Sequence, residues 1–132
     1  RRVPLYGRER ELNLVRGFLN SEESSHLWQF WKGAAGSGKS RLAHEVCLEY
    51  AAKGWYVGRL PRDFDDESFK HQRDWLTKPL LRNVLIVIDY VSHRVSTAVK
   101  LITTAFNQRA NWSRSGCRLK FLFLDRTDGL EW

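Results

Sequence analysis

The chain has 132 residues, which is enough for one domain with a substantial core. Its 22 lysines and arginines against 15 aspartates and glutamates give a net charge of +7, but the basic residues are scattered, so nucleic-acid binding is an alternative that we do not favour. Two cysteines and no C-x-x-C pair argue against a disulfide framework. No apolar stretch approaches the ~20 residues of a membrane span, and no signal-peptide core is evident, so we expect a cytoplasmic protein without a membrane partner.

The first half of the chain predicts two helices and two strands around a glycine-rich segment. Apolar residues at helical spacing predict a helix over residues 9–19, and an apolar run predicts a strand over residues 26–32. A second helix is expected over residues 39–53, since Gly54 is a typical helix stop, and a short strand over residues 55–60. Residues 65–78 are polar, helical at best, and end at Pro79.

The second half of the chain indicates the fold class. Residues 83–89 contain Val84-Leu85-Ile86-Val87-Ile88, an apolar run without polar alternation that is typical of a strand buried on both faces. A helix is expected over residues 95–112 and another strand over residues 119–124. This alternation predicts an α/β fold of three layers with a mainly parallel, doubly wound sheet that binds its ligand at the carboxyl ends of the strands.

Residues 33–40, called here the glycine-rich segment, match the phosphate-binding P-loop pattern G-x-x-x-x-G-K-[ST]. Its members are Gly33, Ala34, Ala35, Gly36, Ser37, Gly38, Lys39 and Ser40. The glycines allow several backbone N–H groups to converge on phosphates, Lys39 should reach the β- and γ-phosphates, and Ser40 should ligate Mg²⁺. The alternative is a glycine turn between strand and helix that binds no nucleotide.

Two further residues are candidates for the same site. Asp89 ends the buried apolar run, which is the Walker B position expected for a magnesium carboxylate, although such an aspartate can also be a helix cap or turn residue. Arg126 follows the last apolar strand, where a cation could sense the γ-phosphate and stabilise charge in phosphoryl transfer. Equally, Arg126 could be solvated or paired with Asp125 or Asp128. Lys39, Asp89 and Arg126 are thus the predicted catalytic set.

Several segments resemble those of STAND-class ATPases, which are related to AAA+ proteins. They are Val3 to Leu12 with its Gly7-Arg8-Glu9, the stretch Gly36 to Ala43 that includes Arg41, the second strand, the region Asn83 to Arg94, and Phe121 to Trp132 as the sensor-1 strand and its following turn. The resemblance implies that ATP lies between the glycine-rich segment and an adenine pocket formed by Leu5, Tyr6, Gly7 and Arg8. It also implies that the sensor-1 strand lies between the P-loop strand and the Walker B strand.

The resemblance further implies a switch in which ATP and ADP forms differ in homo-oligomeric assembly and act on fused effector or sensor domains outside this chain. On the same comparison, residues 1–132 form a nucleotide-binding domain that is incomplete at its C-terminal end. STAND proteins usually carry a carboxylate just beyond the Walker B aspartate, but Tyr90, Val91 and Ser92 stand there. Slow or partner-dependent hydrolysis is therefore expected, and the open alternatives are a non-hydrolysing scaffold and a nucleic-acid-stimulated ATPase.

Overall fold

The computed structural model describes residues 9–33, 39–60 and 73–126, and within them helices alternate with strands. Short 3₁₀ turns lie at Arg73–Thr77, Val91–His93 and Ser113–Ser115. The regular elements are α1 (Glu9–Asn20), β1 (Trp28–Gly33), α2 (Lys39–Ala52), β2 (Tyr56–Arg59), β3 (Val84–Ile88), α3 (Val95–Asn107), α4 (Arg109–Trp112) and β4 (Leu119–Arg126).

The four described strands form one sheet in the order β1-β4-β3-β2, and every neighbouring pair is parallel. This confirms the predicted α/β class and its parallel sheet. It also confirms the expected position of the strand at residues 119–124, since β4 lies between β1 and β3. The register sets Gly33 of β1 opposite Arg126 of β4, and Ile88 of β3 opposite Phe123.

Both faces of the sheet are covered by apolar side chains of the helices, which gives three layers. On one face, α1 and α2 pack on alternate residues of the central strands, including Leu85, Val87, Leu122 and Leu124. On the other face, α3 and α4 pack on the intervening residues, including Ile88, Phe121 and Phe123. The unbroken apolar run in β3 is explained by this double burial, because a strand covered on both faces has no solvent side to carry polar residues.

The prediction of a single helix over residues 95–112 is wrong, because the chain bends at Gln108 between α3 and α4. Two side chains take up carbonyl groups of the last turn of α3: the Trp112 indole Nε1 donates to Ala105 O at 2.7 Å, and Arg109 Nη1 donates to Phe106 O at 2.8 Å. Side chains that satisfy helix carbonyls in this way let a helix bend without losing hydrogen bonds. The bend seats Trp112 in the core, 1% exposed.

The other predicted elements are confirmed with shifted ends. The first strand begins at Trp28 rather than at residue 26, the second covers Tyr56–Arg59, and α2 ends at Ala52. Gly54 has a φ of +96°, a left-handed conformation that glycine adopts without strain, so it ends α2 as predicted. Within the polar segment at residues 65–78, the structure describes residues 73–78, which contain the 3₁₀ turn Arg73–Thr77.

Strand β1 lies at one edge of the described sheet and carries exposed aromatic residues. Trp28 is 49% and Phe30 is 44% exposed, on the face that also holds α3. Trp31, by contrast, is half-buried against the core formed with α1 and α2. The alternation of side chains along a strand separates the two tryptophans, because residues an odd number of positions apart face opposite sides of the sheet.

Lys120 of β4 is a charged residue at a position where the pattern calls for an apolar one. It is 1% exposed, its Nζ donates to His26 O at 2.7 Å, and the ammonium lies 5.2 Å from the centroid of the Phe18 ring. Burial, with a smaller contribution from Arg118 and against an opposing one from Glu23, lowers the pKa of Lys120 to about 8. The lysine thus ties the residues before β1 to the centre of the sheet, at an electrostatic cost.

Because of that cost, we expect the free energies of unfolding of the wild type and Lys120→Met to differ by an amount that depends on pH. Because the pKa of Lys120 falls from 10.5 to about 8 on folding, the unfolded chain holds more protons between these values, and the free energy of unfolding rises with pH there. The methionine variant lacks this rise. We expect its stability relative to wild type to decrease by on the order of 2 kcal/mol from pH 7.5 to 10, measured by urea unfolding. A constant difference across this range would contradict the assignment.

Candidate functional site

The carboxyl ends of all four parallel strands meet at one edge of the sheet, called here the carboxyl edge. Strand β1 ends at Gly33 and helix α2 begins at Lys39, so the glycine-rich segment connects a strand end to a helix start. The N-terminus of a helix carries free N–H groups and the positive end of the helix dipole, both of which attract anions. The described residues on either side of the glycine-rich segment are therefore a strand end and a helix start.

The predicted site residues divide into those at the carboxyl edge and those outside the described residues. Gly33 ends β1, Lys39, Ser40 and Arg41 open α2, and Arg126 ends β4 opposite Gly33. Arg41 is exposed and its Nε donates to Glu45 Oε2 at 3.4 Å, one turn along α2. The predictions that lie outside the described residues are Leu5, Tyr6, Gly7, Arg8, Ala34, Ala35, Gly36, Ser37 and Gly38.

Asp89 follows β3 directly and lies at the carboxyl edge, as its sequence position predicted. Strand β4 separates β3 from β1, so two strand spacings, about 9–10 Å, separate the end of β3 from the end of β1. Asp89 Oδ2 accepts a hydrogen bond from Arg59 Nη1 at 2.9 Å, and the Asp89 side chain is 22% exposed. The carboxylate is thus held by a cation from the neighbouring strand β2.

A second arginine fixes the main chain around Asp89. Arg94 Nε donates to Asp89 O at 3.2 Å, and its Nη2 donates to Leu60 O, also at 3.2 Å. These two carbonyls belong to the residues that follow β3 and β2. Because one half-buried guanidinium spans both, the two strand ends are held at a fixed separation, and Asp89 is set on a rigid support.

Tyr90 has a strained backbone immediately after Asp89. Its φ of 53° and ψ of 45° lie in the left-handed region, and among the described residues it is the one non-glycine residue with a positive φ. The Tyr90 and His93 rings meet edge to face with centroids 6.5 Å apart, across the 3₁₀ turn Val91–His93. Such conformations cost of order 1 kcal/mol and persist where surrounding contacts over-determine them, often at functional sites.

Asp125, near the end of β4, is hydrogen-bonded to the turn that follows β3. Its Oδ1 accepts hydrogen bonds from Ser92 Oγ at 2.8 Å and Ser92 N at 3.3 Å, and Asp125 is 9% exposed. Asp125 continues the row of Phe121 and Phe123 toward α3, whereas Asp89 continues the row of Val87 toward α2. The two carboxylates therefore belong to opposite faces of the sheet, and Asp125 fastens the turn after β3 to the end of β4.

Sequence reasoning missed Arg59, Arg94 and Ser92 as parts of this edge. A signal was available for Arg59 and Arg94, because each follows or flanks a predicted strand end, where charged side chains from different strands converge. Ser92 gave no signal of its own, since a serine in a turn is common and its partner lies 33 residues away.

A metal ion at the carboxyl edge would need ligands in addition to protein side chains. The described ranges contain no group of three or more histidine, cysteine, aspartate or glutamate residues suited to hold an ion. The donor types of Ser40 and Asp89, a hydroxyl and a carboxylate, nevertheless suit Mg²⁺, which binds few protein oxygens and takes the rest of its shell from phosphates and water.

The fold is that of an α/β protein whose described sheet has four strands, all of them parallel. Comparison of the sequence with models of protein families and with curated proteins gave no match. No helix in the described part of the chain has the length and apolar character needed to span a membrane.

Proposed function

We propose that this chain is the nucleotide-binding part of a STAND-like, AAA+-related ATPase that binds ATP with Mg²⁺ at the carboxyl edge. The observation that carries the proposal is the junction between β1 and α2, where a complete P-loop pattern joins the carboxyl end of a strand to the start of a helix. Asp89 follows β3 and Arg126 ends the neighbouring strand β4, both at the carboxyl edge, which supports a single site.

Each of these residues has a role in the proposed site. The backbone N–H groups of the glycine-rich segment surround the phosphates, and the Lys39 ammonium neutralises the β- and γ-phosphates. Ser40 and Asp89 hold the metal, directly or through water, while Arg126 contacts the γ-phosphate. When bound, Mg²⁺ neutralises charge on the phosphate oxygens. The proposed output is a switch, in which ATP and ADP forms favour different homo-oligomeric states and so act on fused domains.

Slow hydrolysis is part of the proposal, and a non-hydrolysing scaffold is the second candidate. Tyr90, Val91 and Ser92 follow Asp89 where a water-orienting carboxylate is expected, and Asp125 is engaged by Ser92 toward the opposite face. Loss of a water-orienting group lowers turnover by orders of magnitude but leaves phosphate binding in place. Nucleic-acid stimulation stays a third prediction, motivated by the net charge of +7.

Calorimetric titration of ATP and ADP in the presence of Mg²⁺, with phosphate release followed in parallel, tests the proposal and separates its two forms. Saturable binding of both nucleotides with slow phosphate release is expected for the switch. Retention of nucleotide without any release would favour the scaffold. Failure of both nucleotides to bind at millimolar concentration would contradict the proposed function in either form.

A further inference from the structure

The pairing of Arg59 with Asp89 follows from the register of two neighbouring strands. Arg59 ends β2 opposite Val87 of β3. Asp89 lies two residues beyond Val87, directly after β3, and on the same side of the sheet as Val87. Diagonal neighbours of this kind are within reach of a long side chain. Arg59 Nη1 accordingly donates to Asp89 Oδ2 at 2.9 Å. A cation from this chain thus sits at an oxygen that the proposed function assigns to magnesium.

We propose that Arg59 is an internal counter-ion for Asp89 and competes with Mg²⁺, so that this salt bridge sets how strongly nucleotide binding depends on magnesium. The inference rests on the proposed function, because it names a regulator of the same site. A carboxylate oxygen that accepts a hydrogen bond from a guanidinium has fewer lone pairs for a metal. The guanidinium nitrogen is 2.9 Å from Asp89 Oδ2, so its positive charge would repel a divalent cation at that oxygen.

The surroundings favour movement of Arg59 rather than of Asp89. Arg94 binds the carbonyls of Asp89 and Leu60, so the main chain that carries the pair is fixed. The Arg59 side chain is 49% exposed and the Asp89 side chain 22%, so the arginine can turn into solvent at little cost while the carboxylate stays in place. Turning of the Arg59 side chain therefore exposes Asp89 Oδ2 without a rearrangement of the strands.

The expected effect is modest because half-exposed ion pairs are weak. Such pairs change equilibria by about two- to fivefold, and we expect a change of that size in the magnesium dependence of ATP binding when Arg59 is replaced. The quantity to measure is the ratio of ATP affinity in Mg²⁺ to ATP affinity in EDTA. This ratio cancels any direct attraction between Arg59 and the phosphates, which acts under both conditions.

The experiment is calorimetric titration of ATP into wild type, Arg59→Gln, Arg59→Lys and Arg16→Gln, each in Mg²⁺ and in EDTA. Arg16→Gln is the matched control, since Arg16 Nη2 pairs with Glu49 Oε1 at 2.8 Å and its removal changes the net charge equally. We expect the affinity ratio to rise about two- to fivefold in Arg59→Gln and to stay near the wild-type value in Arg59→Lys and in the control.

The outcomes separate this inference from the proposed function. A ratio that is unchanged or lowered in Arg59→Gln, with wild type binding ATP normally, would overturn the counter-ion role and leave the nucleotide site standing. An equal rise in Arg16→Gln would also overturn it, because net charge alone would then explain the effect. Absence of ATP binding in wild type under both conditions would overturn the proposed function and this inference together.

Discussion

Replacement of Lys39 by alanine is expected to weaken ATP binding by at least about 100-fold. Lys39 is the first residue of α2 and the lysine of the P-loop pattern, and in the proposed site its ammonium neutralises the β- and γ-phosphates. Hydrogen bonds to charged groups contribute about 1.5–3 kcal/mol each, and loss of about 3 kcal/mol corresponds to a 100-fold change in affinity. Equilibrium titration of ATP with Mg²⁺ into the variant and the wild type measures this effect.

Lys53→Ala is the matched control for Lys39→Ala. Lys53 lies just beyond the other end of α2, its side chain is 52% exposed, and its Nζ pairs with Glu49 Oε2 at 3.5 Å. Its replacement removes the same charge next to the opposite end of α2, far from the carboxyl edge, and is expected to change ATP affinity by less than about twofold. Equal losses in the two variants would show that Lys39 acts through net charge rather than through contact with phosphate.

Replacement of Trp112 by alanine is expected to lower the free energy of unfolding by about 4 kcal/mol. Trp112 is 1% exposed in the core between the sheet and α3, and truncation of a buried aromatic residue leaves a cavity that costs about 3–5 kcal/mol. The indole Nε1 also donates to Ala105 O in a buried position, so the variant leaves that carbonyl without its partner. The midpoint of urea unfolding reports the change.

Two comparisons give this prediction a scale. Trp28→Ala removes an indole that is 49% exposed and should cost no more than about 1.5 kcal/mol, because folding withdraws only about half of its area from water. Trp112→Phe keeps most of the volume and should cost about 1–2 kcal/mol, chiefly for the lost hydrogen bond. A loss in Trp112→Ala no larger than in Trp28→Ala would contradict the assignment of Trp112 to the core.

The fold class could be predicted because its signals are local and strong. Five consecutive apolar residues, Val84 to Ile88, indicate a strand covered on both faces whatever its neighbours are. Gly54 ends α2 because of its own left-handed backbone conformation, which is a property of a single residue. The bend at Gln108 could not be read in the same way, because it depends on where the side chains of Trp112 and Arg109 find acceptors in three dimensions.

Only those residues of the candidate site that have a recognisable position in the sequence could be predicted. Asp89 was found because it ends an apolar run, and its place at the carboxyl edge then follows from the parallel sheet. Its partner Arg59 lies 30 residues earlier, and only the pairing of β2 with β3 brings the two charges together. The burial of Lys120 could not be predicted for the same reason, since its ammonium donates to a carbonyl 94 residues away in the sequence.

Hydrogen exchange in the presence and absence of saturating ATP and Mg²⁺ tests most directly whether the carboxyl edge is the nucleotide site. Phosphates held by backbone N–H groups protect those amides from exchange. We predict slower exchange in residues 33–41 and 89–94. Exchange should be unchanged in residues 21–27 and 113–118, which precede β1 and β4 at the opposite edge of the sheet, where the strands begin. Unchanged exchange throughout, or protection confined to that opposite edge, would contradict the account.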